Sequence, residues 1–311
     1  MGRLTGISSR GDGSKYLFEG SAGFKFADGR GHLLIGGDYL KDKGVIPGTS
    51  RPRIGGTGFF PGADGKLYPT AFLTESNRSE NGVINTGVLA GQVFRSDGTL
   101  RPFDYGIRRP GAPTLMIGGE GYQIDNYRSL SAPIQRGNLF ARASYEVTDN
   151  LKLWVEGSFA RVWDERVYFP DLAINQVTFS SDNAYLRPDL RDQLIAAGET
   201  SFTMGRALTD VALARYRYSR RSVMGSVGID GTFGDGKWNY SAYYSHSEQR
   251  QNQKLKNLVL RQNFLNAIDA VIGPDGTAVC RIALTDPTTA CRPMNLFGSG
   301  NSDQAAIGYV T

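Results

Sequence analysis

Six segments of the chain, each about ten residues long, alternate between apolar and polar positions. In the segment 16–26, Phe18 and Phe26 fall on one parity of positions, and Glu19 and Lys25 fall on the other. Successive side chains of a strand point to opposite faces, so this alternation predicts strands with one apolar and one polar face. The six predicted strands are 16–26, 32–40, 138–147, 151–159, 223–233 and 238–245.

Short polar turns join these strands in pairs. The turns are 27–31, 148–150 and 234–237, and each contains Asp together with Gly or Asn. Turns of this length and composition between alternating segments are typical of β-hairpins. The sequence therefore predicts three antiparallel hairpins.

Much longer connections separate the hairpins. They cover 41–137, 160–222 and 246–311, and they are rich in Gly, Pro, Asn, Asp and Arg. In a compact soluble domain, connections of this length without regular structure would count against the strand assignment. Short turns at one end and long loops at the other are typical of outer-membrane barrels, whose strands need about nine to eleven residues to cross the hydrocarbon core. The sequence thus predicts an all-β fold, a partial transmembrane antiparallel β-barrel of about six strands with long extracellular loops.

In a transmembrane barrel, one face of each strand contacts lipid and the other faces the interior. Apolar side chains would face lipid, and aromatic residues beside the short turns would lie at the membrane interface, as Phe26, Tyr145 and Trp238 do in the sequence. Polar side chains would face a water-filled lumen. The candidate lumen-facing residues are Glu19, Lys25, Asp38, Arg142, Glu156 and Asp230.

Composition agrees with a chain of strands and turns. Of the 311 residues, 40 are Gly, 15 are Tyr and 16 are Phe, with no Gly-X-Y period. The formal net charge of +5 is spread along the chain without a basic block, which argues against a nucleic-acid partner. No apolar run approaches 18 residues, and residues 1–7 form no apolar leader, so we expect neither a transmembrane helix nor a secretory signal in this sequence.

Several segments resemble a known family. The hairpin at 145–159 resembles the short-turn hairpins of TonB-dependent outer-membrane receptors. The segments 263–271, 275–281 and 291–298 look like a cysteine-bearing extracellular loop of proteobacterial members of that family. Residues 183–198 are similar to a short loop helix of the same receptors.

The resemblance implies a transport function. Members of the family are barrels of 22 strands closed by an N-terminal plug, and they import scarce nutrients such as ferric siderophores, cobalamin or glycans with energy relayed through TonB. It implies a Gram-negative outer-membrane location, with lipid and lipopolysaccharide, TonB (through the plug) and a small-molecule substrate as partners. Plug and signal peptide are missing from the sequence. We therefore expect residues 1–311 to form one partial barrel domain that is not functional alone.

The two cysteines, Cys280 and Cys291, lie in the segment that resembles the extracellular loop. In an oxidising compartment they would close a small loop as a disulfide, whereas in a reducing compartment they would be free thiols. The extracellular interpretation favours the disulfide. No second Cys or His cluster accompanies them, so no metal site and no cofactor are expected.

The sequence has no arrangement of nucleophile, His and carboxylate typical of a hydrolase, so an enzyme is not expected.

Two other classes of protein remain open besides the receptor. A passive porin-like diffusion barrel would need no plug and no energy coupling. A soluble β-rich binding or adhesin-like protein would show similar alternation and would stay in aqueous buffer.

Overall fold

The computed structural model describes residues 2–5, 12–45, 57–123, 126–127, 129–170 and 176–311. Contacts divide the chain into two compact units. The sheet unit comprises Met1–Pro47, Ser129–Arg166 and Tyr216–Leu255, and the connection unit comprises Gly48–Arg128, Val167–Arg215 and Lys256–Thr311. The prediction that residues 1–311 form one partial barrel domain stays a prediction.

The described fold is mostly β. In chain order the strands are β1 (Gly2–Thr5), β2 (Lys15–Phe26), β3 (Gly31–Asp42), β4 (Gly58–Pro61), β5 (Leu67–Thr70), β6 (Leu73–Glu75), β7 (Val83–Ile84), β8 (Gln92–Phe94), β9 (Leu100–Pro102), β10 (Ile107–Arg108), β11 (Leu115–Ile117), β12 (Ile134–Thr148), β13 (Leu151–Pro170), β14 (Val177–Ser180), β15 (Ser201–Gly205), β16 (Leu213–Phe233), β17 (Trp238–Lys256), β18 (Ala270–Ile272) and β19 (Ala278–Cys280). The helices are α1 (Pro188–Ala196), α2 (Arg261–Ile268) and α3 (Gln304–Val310), and Ala27–Gly29 and Arg281–Leu284 form 3₁₀ turns.

The sheet unit is built on a sheet of seven strands in the order β1-β2-β3-β12-β13-β16-β17. All six predicted strands occur in it, paired as the three predicted hairpins, and the short strand β1 adds a seventh. The described pairings β1–β2, β2–β3, β3–β12 and β12–β13 are antiparallel. The prediction of an all-β fold with antiparallel pairing is confirmed.

Three strands extend well past their predicted ends. β13 has 20 residues, β16 has 21 and β17 has 19. The added parts, such as 246–256, carry polar or charged residues on both faces, so the apolar alternation that marks a strand in sequence disappears there. Backbone pairing does not need an apolar face, and the strands therefore continue beyond the recognisable pattern.

The hairpin turns use left-handed backbone conformations. In the first turn, Ala27, Asp28 and Gly29 have φ of 54°, 56° and 90°. In the third turn, Asp235 has φ of 52° between two glycines that also have positive φ. Asp and Gly tolerate this region better than other residues, which explains their presence in the predicted turns.

The connection unit has its own hydrophobic core. Four phenylalanine rings form its centre, with centroid distances of 4.8 Å for Phe94–Phe297, 5.0 Å for Phe179–Phe297 and 5.8 Å for Phe179–Phe202. These rings come from segments far apart in sequence, and buried residues of α1, α2 and α3 join the same cluster. The long connections therefore fold together instead of remaining without regular structure.

Candidate functional site on the polar face of the large sheet

The large sheet brings the six candidate lumen-facing residues onto one face. Glu19 of β2 is opposite Asp38 of β3, and Arg142 of β12 is opposite Glu156 of β13. Directly opposed residues of an antiparallel pair share a face, as do alternate residues of one strand, which adds Lys25. Asp38 is also opposite Asn138, which is four residues before Arg142 on β12 and therefore on the same face as Arg142. The two pairs thus lie on one face of the sheet.

The remaining candidate, Asp230, joins this face through its contacts. Its carboxylate accepts a hydrogen bond of 2.8 Å from Ser241 and lies 3.7 Å from the Lys152 ammonium. Lys152 is four residues before Glu156 on β13 and therefore shares its face. We call this surface the polar face. Whether it borders a lumen stays a prediction.

Ion pairs cross the strands of the polar face. Arg142 Nη1 lies 2.8 Å from Glu156 Oε2. Arg136 Nη2 lies 3.1 Å from Asp38 Oδ2, and the Asn138 amide donates to Asp38 Oδ1 at 2.7 Å. All are at least partly solvent-exposed, so each pair contributes little to stability. Their consequence is a hydrated surface on which acids and bases are balanced locally.

Hydrogen bonds continue this pattern across β16 and β17. The side-chain pairs are Arg220–Gln251, Ser226–Ser245 and Asp230–Ser241, with distances of 2.9, 2.9 and 2.8 Å. From one pair to the next, the residue number on β16 rises by the same amount as the residue number on β17 falls. The two strands therefore keep a single antiparallel register between these pairs.

Trp154 also lies on the polar face, and sequence reasoning did not select it. The Arg142 guanidinium lies 4.3 Å from the centre of the Trp154 ring, and the ring of Tyr243 lies 6.3 Å away. Only 9% of Trp154 is exposed. Its parity, shared with Glu156, was the available signal, but an aromatic residue on a membrane strand is more readily assigned to the lipid side.

The opposite face is apolar and exposed within the sheet unit. Val155 is 53% exposed and Trp238 is 64% exposed. At the short-turn end, the rings of Phe26 and Tyr145 stack at 6.4 Å, and those of Phe233 and Trp238 stack at 6.3 Å. We call this surface the apolar face.

A second aromatic row lies nearer the other end of the apolar face. Phe18 is opposite Tyr39, Tyr39 is opposite Gly137, and Gly137 is opposite Arg161. These four positions form one row across β2, β3, β12 and β13. Aromatic residues therefore lie toward both ends of the apolar face.

In the connection unit, Cys280 and Cys291 are joined as a disulfide with a Cα–Cα distance of 6.2 Å. The next residue, Arg281, donates to both carboxylate oxygens of Asp182 at 2.6 and 3.0 Å, and to both of Asp269 at 3.1 Å. The Arg281 hydrogen bonds hold the pKa of Asp182 below its usual range. The bonds to Asp182 likewise raise the pKa of Arg281. The arrangement fixes the disulfide loop.

The connection unit also contains a polar cavity of about 340 Å³. Ser79 and Gln123 line it, and both residues are buried. The Ser79 hydroxyl and the Gln123 amide nitrogen have no hydrogen-bond partner among the described residues. No predicted site residue lies in this cavity.

Within the described ranges, no group of three or more His, Cys, Asp or Glu side chains is placed to hold a metal ion. Over the same ranges, none of the helices combines the length and the apolar character needed to cross a membrane.

Comparisons of the chain with protein-family models, with curated proteins and with solved structures gave no match. The sequence and the geometry of the two faces of the large sheet are therefore the features that bear on function.

Proposed function

We propose that the chain forms part of the barrel wall and surface loops of a TonB-dependent outer-membrane receptor that imports a scarce small-molecule nutrient. The observation that carries this proposal is the two-faced sheet. One face is apolar and exposed, with aromatic residues at two levels, and the other carries ion pairs and hydrogen bonds. A wall between lipid and water requires both faces at once.

The height of the apolar face supports the proposal. Phe26 in the row at the short turns and Phe18 in the second aromatic row are eight residues apart on β2. Eight residues correspond to about 26 Å along a strand. With the tilt of 35–45° found in membrane barrels, this becomes about 20 Å, close to the apolar band of about 25 Å of outer-membrane proteins.

The polar face would supply the water-filled side of the wall. Its acids and bases, including Asp38, Arg142, Glu156 and Asp230, would keep the passage hydrophilic. Proposed partners are outer-membrane lipid and lipopolysaccharide, and TonB acting through a plug domain of the whole receptor. Siderophore, cobalamin and glycan are the substrate classes that the family resemblance suggests.

The described sheet has only seven strands, about a third of a barrel of 22. β1 and β17 are its outermost strands. At an open sheet edge the backbone groups lack hydrogen-bond partners within the sheet, so the sheet cannot enclose a pore by itself. We therefore propose that the 311 residues alone neither close a pore nor transport a substrate.

Tryptophan quenching tests the assignment of the two faces. Single-tryptophan variants would retain either Trp238 on the apolar face or Trp154 on the polar face, with the other tryptophans replaced by Phe. In vesicles of brominated phosphatidylcholine, we expect strong quenching of Trp238 and little quenching of Trp154. Equal quenching of both, or none, would overturn the proposal, and a chain that stays in aqueous buffer would favour the adhesin-like alternative.

A conductance measurement separates the receptor fragment from a porin-like barrel. Vesicles that contain the chain should remain impermeable to small ions, because the described sheet is open. Stable conductance steps would instead support a closed diffusion barrel.

A further inference from the structure

Three arginines lie side by side on the apolar face, on β13, β16 and β17. The antiparallel register that pairs Arg220 with Gln251 places Arg221 opposite Arg250, since Arg221 is one position after Arg220 and Arg250 is one position before Gln251. β16 pairs with β13 along its other edge. From the contact Lys152–Asp230 to the contact Glu165–Arg217, the residue number rises on β13 by as much as it falls on β16, so both contacts belong to one antiparallel register. The same register places Arg161 opposite Arg221. We call Arg161, Arg221 and Arg250 the arginine row.

The three side chains border one groove. The groove has a volume of about 700 Å³, and Ser219 and Asn252 contribute a hydroxyl and an amide to its lining. All three arginines are exposed. Neighbouring strands are about 4.8 Å apart, so the backbones at Arg161 and Arg250 lie about 10 Å apart, with Arg221 between them.

The arginine row is only partly neutralised. Arg250 forms an ion pair with Glu248, and the Arg161 guanidinium stacks 4.3 Å above the Trp163 ring. Arg221 has no ion pair within the described residues. Like charges directly opposite each other on neighbouring strands destabilise a sheet. An anion between the guanidinium groups would remove this cost and would accept bidentate hydrogen bonds.

The position of the row indicates the kind of anion. Arg161 follows Phe159 by two residues on the apolar face, and the row continues through Gly137 to Tyr39 and Phe18. In the proposed membrane orientation this is the headgroup level, where basic side chains meet lipid phosphates. An occupant that is amphiphilic could place its phosphate at the row and its acyl chains along the apolar positions below, such as Val155.

We propose that the arginine row binds the phosphate headgroup of an anionic membrane lipid on the outer surface of the sheet. This inference rests on the proposed function, because it requires the apolar face to contact lipid. It assigns the lipid contact to three named side chains on the outside of the wall, distinct from the polar face.

Quenching of Trp163 provides a local test, since Trp163 lies under Arg161. The chain with Trp163 as its only tryptophan would be placed in phosphatidylcholine vesicles. Two brominated lipids, phosphatidic acid and phosphatidylcholine, each with bromine near the headgroup, would then be added in separate titrations, and the quenching of Trp163 would be compared. We expect phosphatidic acid to be preferred over phosphatidylcholine. Arg221→Gln should lower this preference about fivefold, since a basic residue near the membrane surface contributes about that factor.

Controls keep the test specific. Arg220→Gln, at the neighbouring position on the polar face, should leave the preference unchanged. A single Trp238 at the short-turn end should show no preference between the two lipids. Replacement of all three arginines of the row by Gln should abolish the preference. If that variant fails to insert, Arg221→Gln alone still decides, because it leaves two arginines in place.

The outcomes separate this inference from the proposed function. Quenching of Trp238 by brominated phosphatidylcholine without any phosphatidic acid preference at Trp163 would overturn the lipid site alone. Loss of the preference in excess inorganic phosphate would show a general anion site and would also overturn it. No quenching of Trp238 by brominated lipid would overturn both proposals.

Discussion

Gly228 of β16 leaves the space that the indole of Trp154 occupies on the neighbouring strand. A Cβ atom at position 228 would lie 2.4 Å from Trp154 Cζ2 and 2.5 Å from Cε2. Trp154 is held from its other side by Arg142, so the ring has little room to move. The glycine is therefore required by close packing on the polar face.

Gly228→Ala should destabilise the sheet unit by about 1–3 kcal/mol, because the added methyl group overlaps a packed ring. The measurement is the free energy of unfolding in urea, in detergent micelles. Gly225→Ala is the matched control on the same strand, since a Cβ there meets no atom within 4 Å. Equal effects of the two substitutions would contradict the packing argument.

Arg142→Ala should expose the Trp154 ring to water, because the guanidinium covers its face. We expect the emission of Trp154, measured as the only tryptophan, to shift to longer wavelength. The loss in stability should be below about 1 kcal/mol, since the ion pair with Glu156 is partly exposed. Arg136→Ala removes another arginine of the polar face and should leave the emission unchanged. A red shift of the same size in that variant would show a general loosening of the sheet.

The disulfide should stabilise the connection unit. Cys280 and Cys291 are 11 positions apart, and closing a loop of that length is worth about 3 kcal/mol in the chain-entropy model. The double replacement of both cysteines by Ser should therefore lower the thermal midpoint of the oxidised chain. Addition of a thiol reductant should lower the midpoint of the parent chain to that of the variant, and it should have no effect on the variant.

The pair of Asp182 and Arg281 should make stability depend on pH in the acid range. Arg281 lowers the pKa of Asp182 in the folded chain. The contribution of this pair to the free energy of unfolding should be complete above the unfolded pKa of Asp, about 3.9. It should disappear as the pH falls through the folded pKa of Asp182. The stability difference between the parent chain and Asp182→Asn should therefore shrink below about pH 4. At neutral pH it should be under about 1 kcal/mol, because both side chains are substantially exposed.

Urea unfolding at a series of pH values measures this difference. Arg281→Gln removes the donor and should abolish the same dependence on Asp182. A difference between parent and Asp182→Asn that persists unchanged to the lowest pH would contradict the assignment.

The large sheet was predictable because its strands are regular over many residues. Phe18 and Glu19 already show the two faces of β2, and the Asp- and Gly-containing turns fix the pairing of the hairpins. The extensions of β16 and β17 were missed because both of their faces are polar. Nothing in local sequence marks such a strand, whose pairing depends on its neighbours.

The connection unit was beyond the reach of pattern analysis for a different reason. Its strands have only two to five residues, which is too short for a period to be recognised. Its core joins Phe94, Phe179 and Phe297, which lie in three separate connections. The cross-strand meeting of Arg161, Arg221 and Arg250 likewise depends on register, which the sequence of each strand alone does not contain.

A charge on either face of β13 distinguishes a membrane wall from a sheet in water. Val155 lies on the apolar face and Ser158 on the polar face, three residues apart. In a lipid bilayer, Val155→Arg should cost about 2–4 kcal/mol of folding free energy, whereas Ser158→Arg should cost little, because only the first places a charge in hydrocarbon. Unfolding of both variants in vesicles measures the difference. Similar small costs for both would mean that the apolar face meets water, and the assignment to a membrane would then be wrong.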